Sequence, residues 1–286
     1  MKMTAAATGF MELVGCSLPI QLAAMGGVGT TELAAAVIAA GGLGMVNRQT
    51  EPASGACGKN FLMAFGPDPD DVRQAAGQVR VVEFFYGDPS RSLVEAAHGG
   101  GALAAWQVGS VAEAVAAVEA GCDFVVAQGT EAGGHVRGQQ TLDDLLPGVL
   151  EAVQVPVVAA GGIATAERVA ELLRAGAGAV RVGTRFIATP ESAAHPEYIE
   201  RVLAATGADT VLTAWFGAGW EDAPHRVLRA SEVAARDSGW RAPSPPTRGI
   251  DRPATDMAMY AGTGVGAVST VQPAAEVVAD LVRLLG

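Results

Sequence analysis

Short runs of β-branched and other apolar residues alternate along this chain with Ala-rich stretches of helical period, and Gly, Pro or small polar residues separate them. Residues 19–25 read as a first strand. Thr30 and Thr31 can cap the helix that follows, and Gly41 and Gly42 stop it. A second strand at 43–46 leads into a Pro- and Gly-containing segment with no helical period. Further strands are expected at 60–64, 81–85, 102–106, 123–127, 155–160 and 179–182. Helices are expected between them at 68–78, 90–97, 110–120, 142–152 and 165–175.

Near-continuous apolar strands that alternate with helices imply parallel strands covered on both faces. About eight such units close a (β/α)8 TIM barrel, so the expected fold is an α/β barrel, with an open doubly wound sheet as runner-up. The reading is one domain over 1–286, with a barrel core at about 18–190 and a C-terminal extension over 191–286. In that extension, helical 197–205 leads to a short apolar run at 210–216. The Pro- and Arg-rich 241–253 reads as an extended excursion, and 274–285 as a terminal helix that closes the barrel base.

Composition narrows the functional classes. Half the residues are apolar and 17% are charged, which suits a large buried core. The net charge of −11 repels phosphate backbones and no basic run offsets it, so nucleic acid is not an expected partner. Cys16, Cys57 and Cys122 are scattered without CxxC spacing, which argues against a disulfide framework and a zinc site; no metal is expected. The longest apolar run, 33–46, is shorter than a membrane span and broken by glycines, and Glu12 interrupts the N-terminus. The expectation is a cytoplasmic protein that acts on a small molecule, with a homo-oligomer left open.

In such barrels function sits on the loops after the strands. The seventh predicted strand is followed by Gly161-Gly162-Ile163-Ala164-Thr165 and the eighth by Gly183-Thr184-Arg185. One such loop alone would make only a tight turn. Two of them, at strands seven and eight and each before a helix start, suit backbone N–H groups that hold a phosphate. The sixth strand is followed by Gln128-Gly-Thr-Glu-Ala-Gly-Gly-His135, a loop with more glycines than any regular element needs. It presents His135 at the mouth, where an imidazole can exchange protons or contact substrate. His98 suits a helix end, while His195 and His225 each adjoin a proline and read as surface residues. The Gly-rich runs at 26–29 and 262–266 are weak as dinucleotide fingerprints, and no nucleophile elbow or Walker loop occurs.

The stretch from Gln128 to His135 resembles the signature of nitronate monooxygenases, formerly called 2-nitropropane dioxygenases. Similar too are Val155-Pro-Val-Val-Ala-Ala-Gly-Gly-Ile163, Val182-Gly-Thr-Arg-Phe186 with Glu191-Ser192, Pro19-Ile20 through Gly44, and Tyr260-Ala-Gly262. The resemblance implies FMN, with its phosphate at Gly162, Arg181, Val182, Gly183 and Thr184 and with Gly161 alongside. It puts the ring near Ala24, Met25, Asn60, Gln128, Gly133 and Gly134. It makes His135 the base for a nitroalkane or the anchor for a nitronate, which oxygen then oxidises. The chain departs from the family pattern in Ala24, where a proline usually precedes the methionine, in Arg181, and in a short segment between the second and third strands. Two alternatives stay open: an FMN-dependent NAD(P)H reductase of enoyl thioesters or quinones on the same scaffold, and a phosphate- or FMN-binding protein without turnover.

Overall fold

The computed structural model describes residues 3–285. The first half of the chain runs α1 (Ala5–Val14), β1 (Ile20–Leu22), α2 (Thr31–Ala39), β2 (Gly44–Asn47), β3 (Cys57–Leu62), α3 (Pro69–Ala76), β4 (Val81–Phe85), α4 (Arg91–Gly99), β5 (Leu103–Val108), α5 (Val111–Ala120) and β6 (Phe124–Gln128). The second half runs β7 (Gly134–His135), α6 (Leu142–Ala152), β8 (Val157–Ala160), α7 (Ala166–Arg174), β9 (Ala179–Val182), α8 (Pro196–Ala204), β10 (Thr210–Thr213), β11 (His225–Leu228), α9 (Arg229–Ser238) and α10 (Ala274–Val282).

Eight strands form one parallel sheet in the order β1-β9-β8-β6-β5-β4-β3-β2. The two ends of this sheet meet. The Leu22 N–H donates to the Leu43 carbonyl at 2.9 Å and the Leu43 N–H to the Ile20 carbonyl at 2.8 Å, which closes the (β/α)8 barrel. Thr30, Ser110, Thr141 and Thr165 each accept a backbone N–H from the first turn of the helix they precede. These caps start the helices beyond the strand ends and leave the intervening loops free to line the mouth.

Two placements differ from the sequence expectation. The base of the barrel is closed by α1, which the strand-helix alternation passes over. Its Phe10 meets Phe124 edge-on at 5.4 Å and packs with Val81, Ala105, Val126 and Val158 inside the barrel. The terminal helix α10 instead joins the outer layer, between α2 and α7. The third strand starts at Cys57, earlier than expected, because Gly58 and Lys59 resemble a turn but lie in the parallel ladder. Between β2 and β3 there is no helix among the described residues, so the helical layer is open there.

Beyond β9 the chain returns over the mouth. Strands β10, β11 and β7 form a small antiparallel sheet in which His225 lies opposite His135. The stretch 241–253 forms no helix or strand: it runs irregularly to an isolated bridge at Thr247 and turns at 248–249, and Pro243, Ser244, Pro245 and Thr247 line the mouth. No helix among the described residues is long and apolar enough to cross a membrane.

Candidate active site

The strand ends surround a cavity of about 580 Å³. Ala24 and Met25 enter it from the loop after β1, Asn60 from β3, Gln128 from β6, and Gly133, Gly134 and His135 from the loop that becomes β7. Gly161, Gly162, Gly183 and Thr184 line its other side, below the capped start of α7. Twelve of the thirteen residues singled out in the sequence therefore share one cavity.

Val182 is the exception. Its side chain points into the layer between strands and helices, and its carbonyl accepts the Ala23 N–H at 2.8 Å. Arg181 reaches the cavity only from below. Its guanidinium is ion-paired with Glu83 and donates to Gln107 Oε1 at 2.5 Å, deep in the barrel. Strand alternation explains both outcomes: Val180 and Val182 face the helices, so Arg181 faces the axis. An arginine already held by a carboxylate is not free to hold a phosphate.

The glycine loops are required by geometry at two places. Gly161 and Gly162 have φ of +125° and +68°, which side chains rarely adopt. At Gly133 a Cβ would lie 2.6 Å from the Gly262 backbone nitrogen, so only glycine lets the His135 loop and the C-terminal segment touch. The Thr184 hydroxyl accepts the Gly262 N–H at 3.0 Å, and Gly264 lies against the Gly162 carbonyl. The run 262–266, weak as a dinucleotide loop, is thus a 3₁₀ turn that buttresses the glycine cradle.

Around His135 the structure assembles a group of side chains that, Tyr260 apart, the sequence did not single out. Trp220 stacks on the imidazole with ring centres 4.3 Å apart, Tyr86 meets it edge-on at 6.0 Å, and Tyr260 lies at 5.8 Å. Tyr86 sits at φ +65°, the one non-glycine residue with positive φ among those described, at the C-terminal end of β4. Its position directly after an apolar strand was the available signal. His225, expected at the surface, is fully buried 5.2 Å from His135. Its ring Nε2 accepts the Phe216 N–H at 3.2 Å, so a role in the fold replaces the expected exposure.

Burial, and then the nearby His225, push the His135 pKa down from the ordinary 6.5 to about 3. The imidazole is therefore neutral at neutral pH. Its Nε2 is buried without a hydrogen-bond partner, as is Gln128 Oε1, while Gln128 Nε2 donates to the His135 carbonyl at 2.9 Å. Unpartnered polar atoms cost stability unless something else meets them, and these two line the same cavity.

A model of the nitronate monooxygenase family matches residues 70–283. A Mycobacterium tuberculosis dehydrogenase, named for a hydroxy-methyl-oxo-octahydroindene-carboxyl-CoA, is 32% identical over 82% of this chain and 70% of its own length. Among solved structures, FabK from Thermotoga maritima superposes with a TM-score of 0.84 at 29% identity, over 97% of this chain and 95% of that one. Nitroalkane oxidase from Streptomyces ansochromogenes superposes with a TM-score of 0.78 at 30% identity, over 96% and 97%. The curated nitronate monooxygenase of Pseudomonas aeruginosa is 37% identical, but the alignment spans only 47% of that protein and 54% of this one. With the family model matched over most of its length and the barrel shared end to end, this chain belongs to the nitronate monooxygenase family.

Proposed function

We propose that this chain is an FMN-dependent oxidoreductase that oxidises alkyl nitronates with molecular oxygen, and that His135 holds the substrate anion. The residues fit the cofactor. Gly161, Gly162 and Gly183 leave a side-chain-free cradle beside the N-terminus of α7, where a phosphate is favoured. A Cβ at Gly183 would come within 3.2 Å of the Ala23 Cβ. Beside the cradle, Ala24, Met25 and Ile163 offer apolar walls, and Asn60 and Gln128 offer amides for the edge of a flat ring. Bound FMN would supply the electron transfer to and from substrate and oxygen.

The observation that carries the reading is the neutral, unpartnered His135. An imidazole with so low a proton affinity accepts a proton from carbon poorly. As a neutral N–H donor shielded from water it suits an anionic oxygen, and the bound anion would restore its affinity for a proton. Trp220, Tyr86 and Tyr260 keep the nitrogen dry and hold the ring in place. Of the two roles open at His135, base and anchor, this geometry favours the anchor.

The relative named as a carboxyl-CoA dehydrogenase favours a second reading, in which the same site transfers electrons to or from an acyl thioester. One experiment separates the two. FMN-saturated protein is mixed with an alkyl nitronate in air and, separately, without oxygen, with NADH or NADPH. Oxygen uptake that depends on the nitronate supports the first reading. Flavin bleaching by the nucleotide, with no uptake on nitronate, replaces it with the reductase.

A further inference from the structure

The opening in the helical layer between β2 and β3 holds a second pocket, about 190 Å³, against the roughly 30 Å³ that one water occupies. Lys59 lines it from β3. This is one of only two lysines in a chain that otherwise uses arginine for its cations. Lys59 is 7% exposed, and its ammonium makes no hydrogen bond or ion pair with any described residue. The side-chain stem is packed away while the ammonium still meets solvent at the pocket, a charge held in place with no counter-charge of its own.

The rest of the pocket suits an anion. Arg48 lies across the opening, over the Phe61 ring at 5.6 Å, and is ion-paired with Asp71 of α3. Gln74 and Gln78 add amide donors at the rim. Two cations thus face one carboxylate in a protein whose overall charge is strongly negative. Arg48 also lines the main cavity, so the pocket adjoins the mouth of the active site. A full helix between β2 and β3 would cover the place; the short 48–56 segment leaves it open.

We propose that this flank pocket is a phosphate-binding subsite, with Lys59 as its principal charge and Arg48, Gln74 and Gln78 as its donors. The ligand is either free phosphate or a phosphate monoester carried by a substrate whose other end enters the mouth. The inference is independent of the nitronate reading, because it concerns binding at a site that takes no part in electron transfer.

The test uses FMN-saturated protein, so that the flavin cradle does not compete for phosphate. Thermal unfolding is followed with inorganic phosphate at constant ionic strength, with chloride as control, in wild type, Lys59→Met and Gln74→Glu. The wild-type Tm should climb with phosphate, as for any ligand of the folded state. Lys59→Met should fold at least as stably without phosphate, and bind it roughly tenfold to hundredfold more weakly. Gln74→Glu, an exposed change that spares the core, should also weaken the response. A flat wild-type response, or equal responses in all three proteins, overturns the proposal and leaves Lys59 a hydrated lysine. Coenzyme A and its 3′-dephospho form distinguish the sources. Tighter binding of coenzyme A that disappears in Lys59→Met assigns a carried monoester, whereas equal binding of the two with a phosphate response assigns the free ion.

Discussion

At the scale of single residues, His135 combines a buried nitrogen without a partner and a proton affinity far below that of free histidine. This links catalysis to stability. In the unfolded chain the imidazole takes up its proton near pH 6.5, while in the folded protein it stays neutral down to about pH 3. Between those values the unfolded state binds the extra proton, so the fold loses stability as the pH falls through the window. His135→Asn carries no such proton. Urea midpoints measured from pH 7 to pH 3.5 should fall less steeply in the variant than in wild type. With bound flavin, the variant should raise KM for a nitroalkane and for its preformed nitronate alike, with kcat less affected. A selective loss on the nitroalkane would restore the base role, and unchanged kinetics on both would remove His135 from the site. The histidine was legible because its loop carries more glycines than a helix or strand needs. Its neighbours were not, since Trp220 and His225 come from segments far along the chain and meet it only through folding.

Elements explain why those neighbours were hidden. Strand β7 has two residues, too few to show a period, and it becomes a strand only because β11 pairs with it. The turn between β10 and β11 then carries Trp220 onto His135 and within 5.9 Å of the exposed Phe65 ring, which extends the aromatic cover toward β3. Arg181 shows the same scale at work: the motif suggested a phosphate contact, and strand alternation turns its side chain to the axis, where it meets Glu83. If Trp220 is what dries the imidazole, Trp220→Ala should let water in and move the His135 pKa up toward 6.5. NMR titration of the imidazole carbon protons in the flavin-bound protein measures this directly. An unmoved titration would mean that Tyr86, Tyr260 and the backbone suffice for the burial. The β10–β11 hairpin itself should remain, because His225 and Phe216 are held beneath it.

For the whole molecule, the repeating strand-helix units made the barrel legible, because each apolar run must be covered on both faces. What closes the barrel at its base and at its centre was not legible. Helix α1 has no strand partner to mark it, and the polar layer at the axis is assembled from residues that look unrelated in sequence. Asn60 Nδ2 donates to Glu83 Oε1 at 2.8 Å, Gln21 Nε2 to Glu83 Oε2 at 3.3 Å, and Arg181 joins Glu83 to Gln107. These five side chains come from β1, β3, β4, β5 and β9. They separate the apolar core above α1 from the cavity at the mouth. Burial pulls the Arg181 pKa down to about 9, so the guanidinium remains charged at neutral pH and needs its carboxylate. Removal of one partner from such a pair should cost about 3–5 kcal/mol, while joint removal avoids the stranded charge. Glu83→Gln should therefore lower the urea midpoint sharply, whereas Glu83→Gln combined with Arg181→Met should recover a large part of the loss. Because the layer ties five strands, the change should appear as a lower midpoint with an unchanged slope, the mark of a barrel that loses stability as a unit. Additive losses in the double variant would mean that the two charges do not depend on one another, and that the layer is held by its amides alone.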